Sequence, residues 1–292
     1  MIIEQGPFSI AFQIVQECLF QCDICHRRYV EGERYLDPEQ RKQMVDILKE
    51  YGLRRLTVTG GEPMILDGEE LFDFLRYVHQ KQIHVCLSTN GYRLTQARVE
   101  EMDGYVDQIL LPIRSLTRPG WQVDFGDTPY TLELFETVIN LLQWIKTTSI
   151  ILEVSTVVHR ENIGKVMDLG WQLVSLNPNI VWRLEEYYGM GIRADLRSRF
   201  EIGERELDLL FCRVHHNFEH LLKLIRPGKG KGRIYAPDLF ITPVGDLVTT
   251  SNNCYSEPVG NVLKGQLPPE FRNRRPWSDY QQVCRDWDWG DL

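Results

Sequence analysis

No run of about 20 apolar residues, the length that a membrane-spanning helix needs, occurs in the 292-residue chain, so a protein that does not cross a bilayer is expected. Basic residues are not in excess. With 33 Lys and Arg against 41 Asp and Glu the formal net charge is -8, which excludes a general coat on nucleic acid or an anionic membrane surface as the main task. The first segment, MIIEQGPFSI, carries a glutamate where a secretory leader has basic residues, and its apolar stretch is too short for a leader's core. A cytoplasmic protein is the expectation. Cysteine is scarce: there are seven, an odd number, at 18, 22, 25, 86, 212, 254 and 284, without the density of a secreted disulfide framework. There is no internal repeat and no low-complexity tract. A chain of this length buries roughly 75% of its extended surface on folding, so a metal site in it would serve chemistry rather than hold the fold together.

What is present is a regular beat of strand and helix patterns. Short β-branched or aromatic runs at 8–15, 55–60, 83–89, 107–113, 150–158 and 180–188 predict six buried strands. Amphipathic patterns at 38–52, 68–80, 95–102, 131–145, 162–175 and 203–225 predict six helices, the first with Pro38 near its start and Gly52 past its end. Six strand-helix repeats imply an α/β fold with parallel strands and right-handed crossovers, as an open sheet or a partial barrel. After residue 225 the composition changes to the glycine-rich, basic RPGKGKGR and a turn-rich tail. Residues 1–225 are therefore expected to form the main domain and 226–292 a small lobe, with a hairpin turning at 243–245.

Cys18, Cys22 and Cys25 lie in QECLFQCDICHRR, directly after the first strand, where βα architectures place their chemistry. Three thiolates suit three irons of a 4Fe-4S cluster with the fourth iron left open. A zinc site completed by His26 is the competing arrangement, although zinc motifs usually pair their ligands across a longer loop.

The Cys-x3-Cys-x2-Cys spacing resembles the defining motif of the radical S-adenosylmethionine (radical SAM) superfamily. TGGEP, residues 59–63, at the end of the second strand resembles that family's second motif, and STNG, residues 88–91, after the third strand resembles a further one. The resemblance covers residues 8 to about 190. It implies a partial (β/α)6 barrel that binds one 4Fe-4S cluster through Cys18, Cys22 and Cys25, and S-adenosylmethionine. Gly60, Gly61, Glu62 and Pro63 would lie at the cofactor's amino group, with Glu62 as an acceptor for the ammonium and the glycines allowing close approach. Ser88 and Asn90 would lie near its ribose and carboxylate. The fifth and sixth strands look like the family's cofactor-binding strands. There Ser155 either reaches ribose or carboxylate or is a hydroxyl satisfied inside a buried strand, and the backbone around Leu184, Glu185 and Glu186 lies near adenine.

The chain departs from the family at two places. Ile24 replaces the aromatic residue most often found between the second and third cysteines, and by that resemblance would pack on adenine without stacking. LLPIRSL follows the fourth strand, with Pro112 and Arg114 where many relatives carry Ser and Asp. Arg114 either grips the cofactor's carboxylate, meets an acidic substrate, or is an ordinary surface arginine.

The implied reaction is reductive cleavage of S-adenosylmethionine to a 5'-deoxyadenosyl radical, which removes hydrogen from a peptide, nucleotide or other small-metabolite substrate. A flavodoxin- or ferredoxin-type electron donor is implied as partner. The alternative class is a non-catalytic zinc or iron-sulfur sensor or structural protein, which has no need of TGGEP or STNG at successive strand ends. The tail, 241–262, resembles SPASM and twitch extensions, but Cys254 and Cys284 are too few for a second all-cysteine cluster. The basic loop with Arg226, Lys229, Lys231 and Arg233 fits a polyphosphate, as in the viperin-like branch, or is a solvated loop. His215, His216 and His220 offer a metal pair at helical spacing, or a polar helix face. DWDWGDL at the end either covers the active site or caps the lobe.

Overall fold

The structure, a computed structural model, describes residues 8–20, 22–25, 35–66, 68–125, 128, 130–187, 196–225, 239–251, 254–255 and 258–267. Six strands carry the fold: β1 (Phe8–Val15), β2 (Leu53–Gly60), β3 (His84–Ser88), β4 (Gln108–Pro112), β5 (Ile151–Val158) and β6 (Val181–Glu186). They are all parallel and adjacent in chain order. Crossovers run through α1 (Pro38–Glu50), α2 (Gly68–Gln80), α3 (Gln96–Met102), α4 (Arg118–Phe125), α5 (Thr131–Trp144) and α6 (Val166–Leu176). The sheet is open rather than closed, as in a partial barrel.

The start of α1 follows from its residues. Asp37 caps the helix by accepting from Gln40 N, Gln40 returns a bond to the Asp37 backbone, and Pro38 takes the first turn, where its missing N–H costs nothing.

Alternation assigns each strand residue to one of two faces. Trp182 packs on Phe218 and donates from Nε1 to Thr156 Oγ1 at 3.0 Å, which fixes the helix-covered face. Phe12, Ile14, Leu56, Val58, Leu87, Ile109, Leu111 and Val154 are fully or almost fully buried in the same continuous core. The inner face is polar. On it the buried Glu153 carboxylate accepts from Gln108 Nε2 and Arg183 Nε, so three strands are joined by a charged network beneath the loops.

The structure adds elements that the sequence patterns did not show. The pattern over 203–225 predicts one helix, but α8 (Glu204–Phe218) stops at Phe218, and β7 (Lys223–Ile225) pairs in parallel with β6. So short an apolar run looks alike in a helix and a strand, and only the free edge of β6 decides it. α4 and the single turn α7 (Arg197–Phe200) were also not expected.

The expected hairpin exists as β8 (Leu239–Ile241) and β9 (Asp246–Ser251), closed by Gly245 at φ +86°. Rather than standing apart, β8 pairs in parallel with β1, and the turn holds Leu36 N on Pro243 O at 2.8 Å. Among the described residues no helix is long and apolar enough to cross a membrane.

Candidate cofactor site

The cysteine loop leaves the C-terminal end of β1, with the ends of β2 and β3 beside it. Its root is sewn to β2's end: Gly61 N donates to Val15 O and Glu62 N to Glu17 O, both at 2.8 Å. A Cβ on Gly61 would lie 1.9 Å from Glu17 O, and one on Gly60 2.4 Å from Val15 O. The close approach that demands glycine here is therefore made by the chain's own backbone.

The three cysteines are near enough to influence one another. Burial pushes the Cys22 thiol up to about 11. The Arg114 guanidinium, which also hydrogen-bonds to it, pulls the other way, while Cys25 and Cys18 add to the rise. Cys18 Sγ accepts from Phe20 N at 3.5 Å, and Asn90 Nδ2 stands 4.0 Å from it. Cys25 N closes a turn on Cys22 O at 3.1 Å.

Three neighbouring sulfurs, with N–H donors at Cys18 and a guanidinium at Cys22, fit an anionic iron-sulfur cluster, whose irons would displace the thiol protons. Among the described residues no group of three or more His, Cys, Asp or Glu is placed to hold a single metal ion. Three thiolates on three separate irons do not require one. His26, the expected zinc ligand, lies outside the described residues.

Glu62 is almost completely buried, and its carboxylate is met by protein donors. Oε1 accepts from Thr89 Oγ1 at 2.5 Å and Met64 N at 3.0 Å, and Oε2 from Asn90 N at 2.7 Å. Burial nevertheless pushes it up to about 7, the three hydrogen bonds opposing the rise. Glu62 thus braces the end of β2 against the end of β3, and Pro63 opens the buried 3-10 turn Pro63–Ile65 that supplies the Met64 donor. Thr89, which the sequence reading passed over between Ser88 and Asn90, is the second half of this brace. The Ser88 hydroxyl, at the inner end of β3, hydrogen-bonds to no described side chain.

Arg114 is buried rather than on the surface, with its guanidinium over the Phe125 ring at 5.0 Å. Phe125 stacks on Trp121 and meets Phe20 edge-on at 5.5 Å, and Phe20 also meets Tyr92. This aromatic group backs one side of the cysteine loop.

A second, smaller apolar cluster backs the other side. Ile24, Tyr187 and Phe200 are buried together, with Val157 and Leu196 at their margin. Ser155 is buried on the inner face of β5, opposite Pro112 and Arg183, and its hydroxyl has no hydrogen bond to the described side chains. Glu185 lies 3.8 Å from Arg183, at the margin of the Glu153 network.

His159, just past β5, is buried against Phe200 at 5.1 Å. Its Nδ1 accepts from Glu161 N at 3.3 Å, and its Nε2 has no partner among the described residues. Burial pushes it down to about 4, helped by Arg114 and Arg199, so it is neutral and presents Nε2–H. A lone histidine at a strand end carries no signal in the sequence. Nor does Arg199, whose ion-pair partners Asp23 and Glu161 are 176 and 38 residues away.

Other candidates lie away from this group. On α8, His215 pairs with Glu219 at 2.6 Å, and His220 reaches the same carboxylate at 3.3 Å. Cys86 is buried and Cys212 half-buried. The basic loop 226–233, the Cys254 side chain, Cys284 and the terminal DWDWGDL lie outside the described residues.

The family model of the radical SAM superfamily matches residues 12–169, more than half of the chain. A probable GTP 3',8-cyclase from Pyrococcus abyssi is 26% identical over 119 residues, 40% of this chain and 38% of that protein. An S-adenosylmethionine-dependent nucleotide dehydratase, RSAD2, from Oncorhynchus mykiss is 22% identical over 181 residues, 61% of this chain and 51% of that one. The match thus spans between about a third and a half of these relatives' length. Among solved structures, anSMEcpe with bound AdoMet and Kp18Cys peptide superposes with a TM-score of 0.70 over 97% of this chain and 87% of that chain, at 12% identity. SuiB from Streptococcus suis with its precursor peptide SuiA gives 0.64 over 92% and 66%, at 13% identity. At these identities the likeness is one of fold.

Proposed function

The chain belongs to the radical SAM superfamily, and on that premise we propose that it is a single-cluster enzyme acting on a nucleotide. Enzymes of this type use an external electron donor. When bound, the cluster and S-adenosylmethionine supply one-electron cleavage to a 5'-deoxyadenosyl radical for hydrogen abstraction.

The observation that carries the reading is the convergence of Cys18, Cys22, Cys25, Arg114, Asn90 and the Glu62 brace at one end of the sheet. Cys18, Cys22 and Cys25 would hold the cluster. Arg114 offsets its negative charge, and Asn90 and the Phe20 amide direct N–H groups at Cys18 sulfur. Glu62 acts by fixing the STNG backbone, while the inner-face hydroxyls of Ser88 and Ser155 and the Nε2–H of His159 are the groups left to meet the cofactor's polar edges. Ile24, Tyr187 and Phe200 form an apolar shelf suited to adenine, near the ends of β5 and β6. The backbone of Gly60 to Pro63 lines the amino-group side, and the backbone around Glu185 lies on the adenine side.

The nucleotide reading is supported by relatives named as a GTP cyclase and a nucleotide dehydratase, and by the basic residues at 226–233. Residues 226–292 are proposed as the lobe that covers the site, without a second cluster, and a flavodoxin- or ferredoxin-type protein as the donor. The sensor alternative is not favoured, because a sensor has no use for the braced β2 and β3 ends.

The test is electron paramagnetic resonance of anaerobically reconstituted, dithionite-reduced protein with and without S-adenosylmethionine, followed by 5'-deoxyadenosine formation with a panel of nucleoside triphosphates and of peptides. A reduced 4Fe-4S signal that shifts with the cofactor, and turnover stimulated by a triphosphate, are expected. A signal blind to the cofactor would overturn the enzyme reading, and stimulation by peptides alone would overturn the substrate class.

A further inference from the structure

Resting on that cofactor reading, we propose that Arg199 is a positioning residue: it clamps the Cys22–Cys25 turn onto the shelf beside β5 and so sets the affinity for S-adenosylmethionine. Within the turn Cys25 N donates to Cys22 O. Arg114 reaches Cys22 from the main-core side, and the two central residues tie the turn to the other side. Ile24 is buried against Tyr187 and Phe200, and Asp23 Oδ2 accepts from Arg199 Nη1 at 2.7 Å.

The same guanidinium grips Glu161 with two bonds, Nε to Oε1 at 2.7 Å and Nη2 to Oε2 at 3.1 Å. The guanidinium also lies over the Phe200 ring, 4.7 Å from its centroid. Glu161 stands just past β5, where its backbone N–H donates to His159. One planar cation therefore joins the cysteine turn, the end of β5 and α7, with its edge shared between two carboxylates and its face on an aromatic ring. An ammonium is a point charge without that fork, so lysine would not reproduce the arrangement.

The geometry directs the effect toward binding rather than folding. Arg199 and Asp23 are half-exposed, with side-chain accessibilities of 46% and 33%, and such pairs add little to global stability. The turn they tether nevertheless carries Ile24 together with two of the three cysteines. If the clamp is absent, ordering this turn falls to the bound cofactor and is subtracted from its affinity.

The experiment compares reconstituted wild type with Arg199→Ala, Asp23→Ala, the double variant and Arg199→Lys. Its readouts are iron content, thermal midpoint, the dissociation constant for S-adenosylmethionine by anaerobic equilibrium dialysis, and hydrogen exchange of amides 22–25 in the cluster-free chain. Each alanine variant is expected to keep its midpoint, to exchange faster in the turn and to bind about threefold to tenfold more weakly, the scale of a modest charge network. The double variant is expected to be no weaker than the weaker single, and lysine to recover part of the loss. Wild-type affinity and wild-type exchange in Arg199→Ala would overturn the clamp, as would a double variant showing the product of the two single effects. A wild type that does not bind the cofactor would instead overturn the enzyme reading on which the clamp rests.

Discussion

Toward β3 and β4 the cysteine loop is held by buried groups, with Phe20 wedged edge-on against Phe125 and Tyr92 and Cys18 within reach of Asn90. Toward β5 and α7 it is held by a small apolar cluster and by ion pairs that water can reach. The first side shares the main core, so its geometry is tied to the stability of the whole domain. The second has its own small core of Ile24, Tyr187 and Phe200. A loop built this way has Cys18 and Cys22 against the main core, while Ile24 leans on the smaller cluster.

The comparison breaks most completely at the proposed ligands. Cys22→Ser is expected to abolish cluster loading and cofactor cleavage, read as iron per chain near zero and loss of 5'-deoxyadenosine formation, because three thiolates are the fewest that hold the cluster with one iron open. Retention of a full cluster would remove Cys22 from the ligand set.

Phe20→Ala tests the buried side. Deleting an almost fully buried aromatic ring is expected to cost about 3–5 kcal/mol in chemical denaturation of the cluster-free chain. A loss below 1 kcal/mol would show that this side is no firmer than the other.

Next in size is the Glu62 brace, through its pH dependence. Its folded-state value of about 7 lies above the ordinary 4.5, so the folded protein holds the proton more tightly than the unfolded one. The contribution is fully present below pH 4.5 and is lost as the pH rises through 7, by roughly 3 kcal/mol. Glu62→Gln is expected to flatten that fall in urea midpoints measured from pH 5 to 8 on the cluster-free chain. His159 acts with the opposite sign, since its value of about 4 lies below the ordinary 6.5. Its contribution is present above pH 6.5 and is lost as the pH falls toward 4. His159→Gln should therefore flatten the acid limb instead, and an identical profile in both variants would contradict the assignment.

Smallest is the exposed side: Asp23→Asn should change global stability by less than about 1 kcal/mol. A larger loss would erase the contrast between the two sides.

The strand-helix alternation was legible in the residues because burial imposes it. β1 at 8–15 follows from its run of β-branched and aromatic residues, and α1 from Pro38 near its start and Gly52 past its end. Less legible was the meaning of the motifs. Glycine at 61 also leaves room for the backbone of Glu17, and glutamate at 62 also accepts from Thr89, Met64 and Asn90, neither of which the motif announces. A motif records which residue a position demands but not which neighbour makes the demand.

By itself the sequence determined the class of protein, because three cysteines at that spacing followed by TGGEP and STNG at successive strand ends form a pattern that local chemistry alone does not require. Only the tertiary structure decided how the site is held: that Arg114 lies buried on Cys22, that a hairpin from the tail extends the sheet at β1, that His159 presents a buried N–H, and that Arg199 meets Asp23 across 176 residues. Those contacts join positions far apart in the chain, and distance along a chain carries no record of distance in space until the strands have paired.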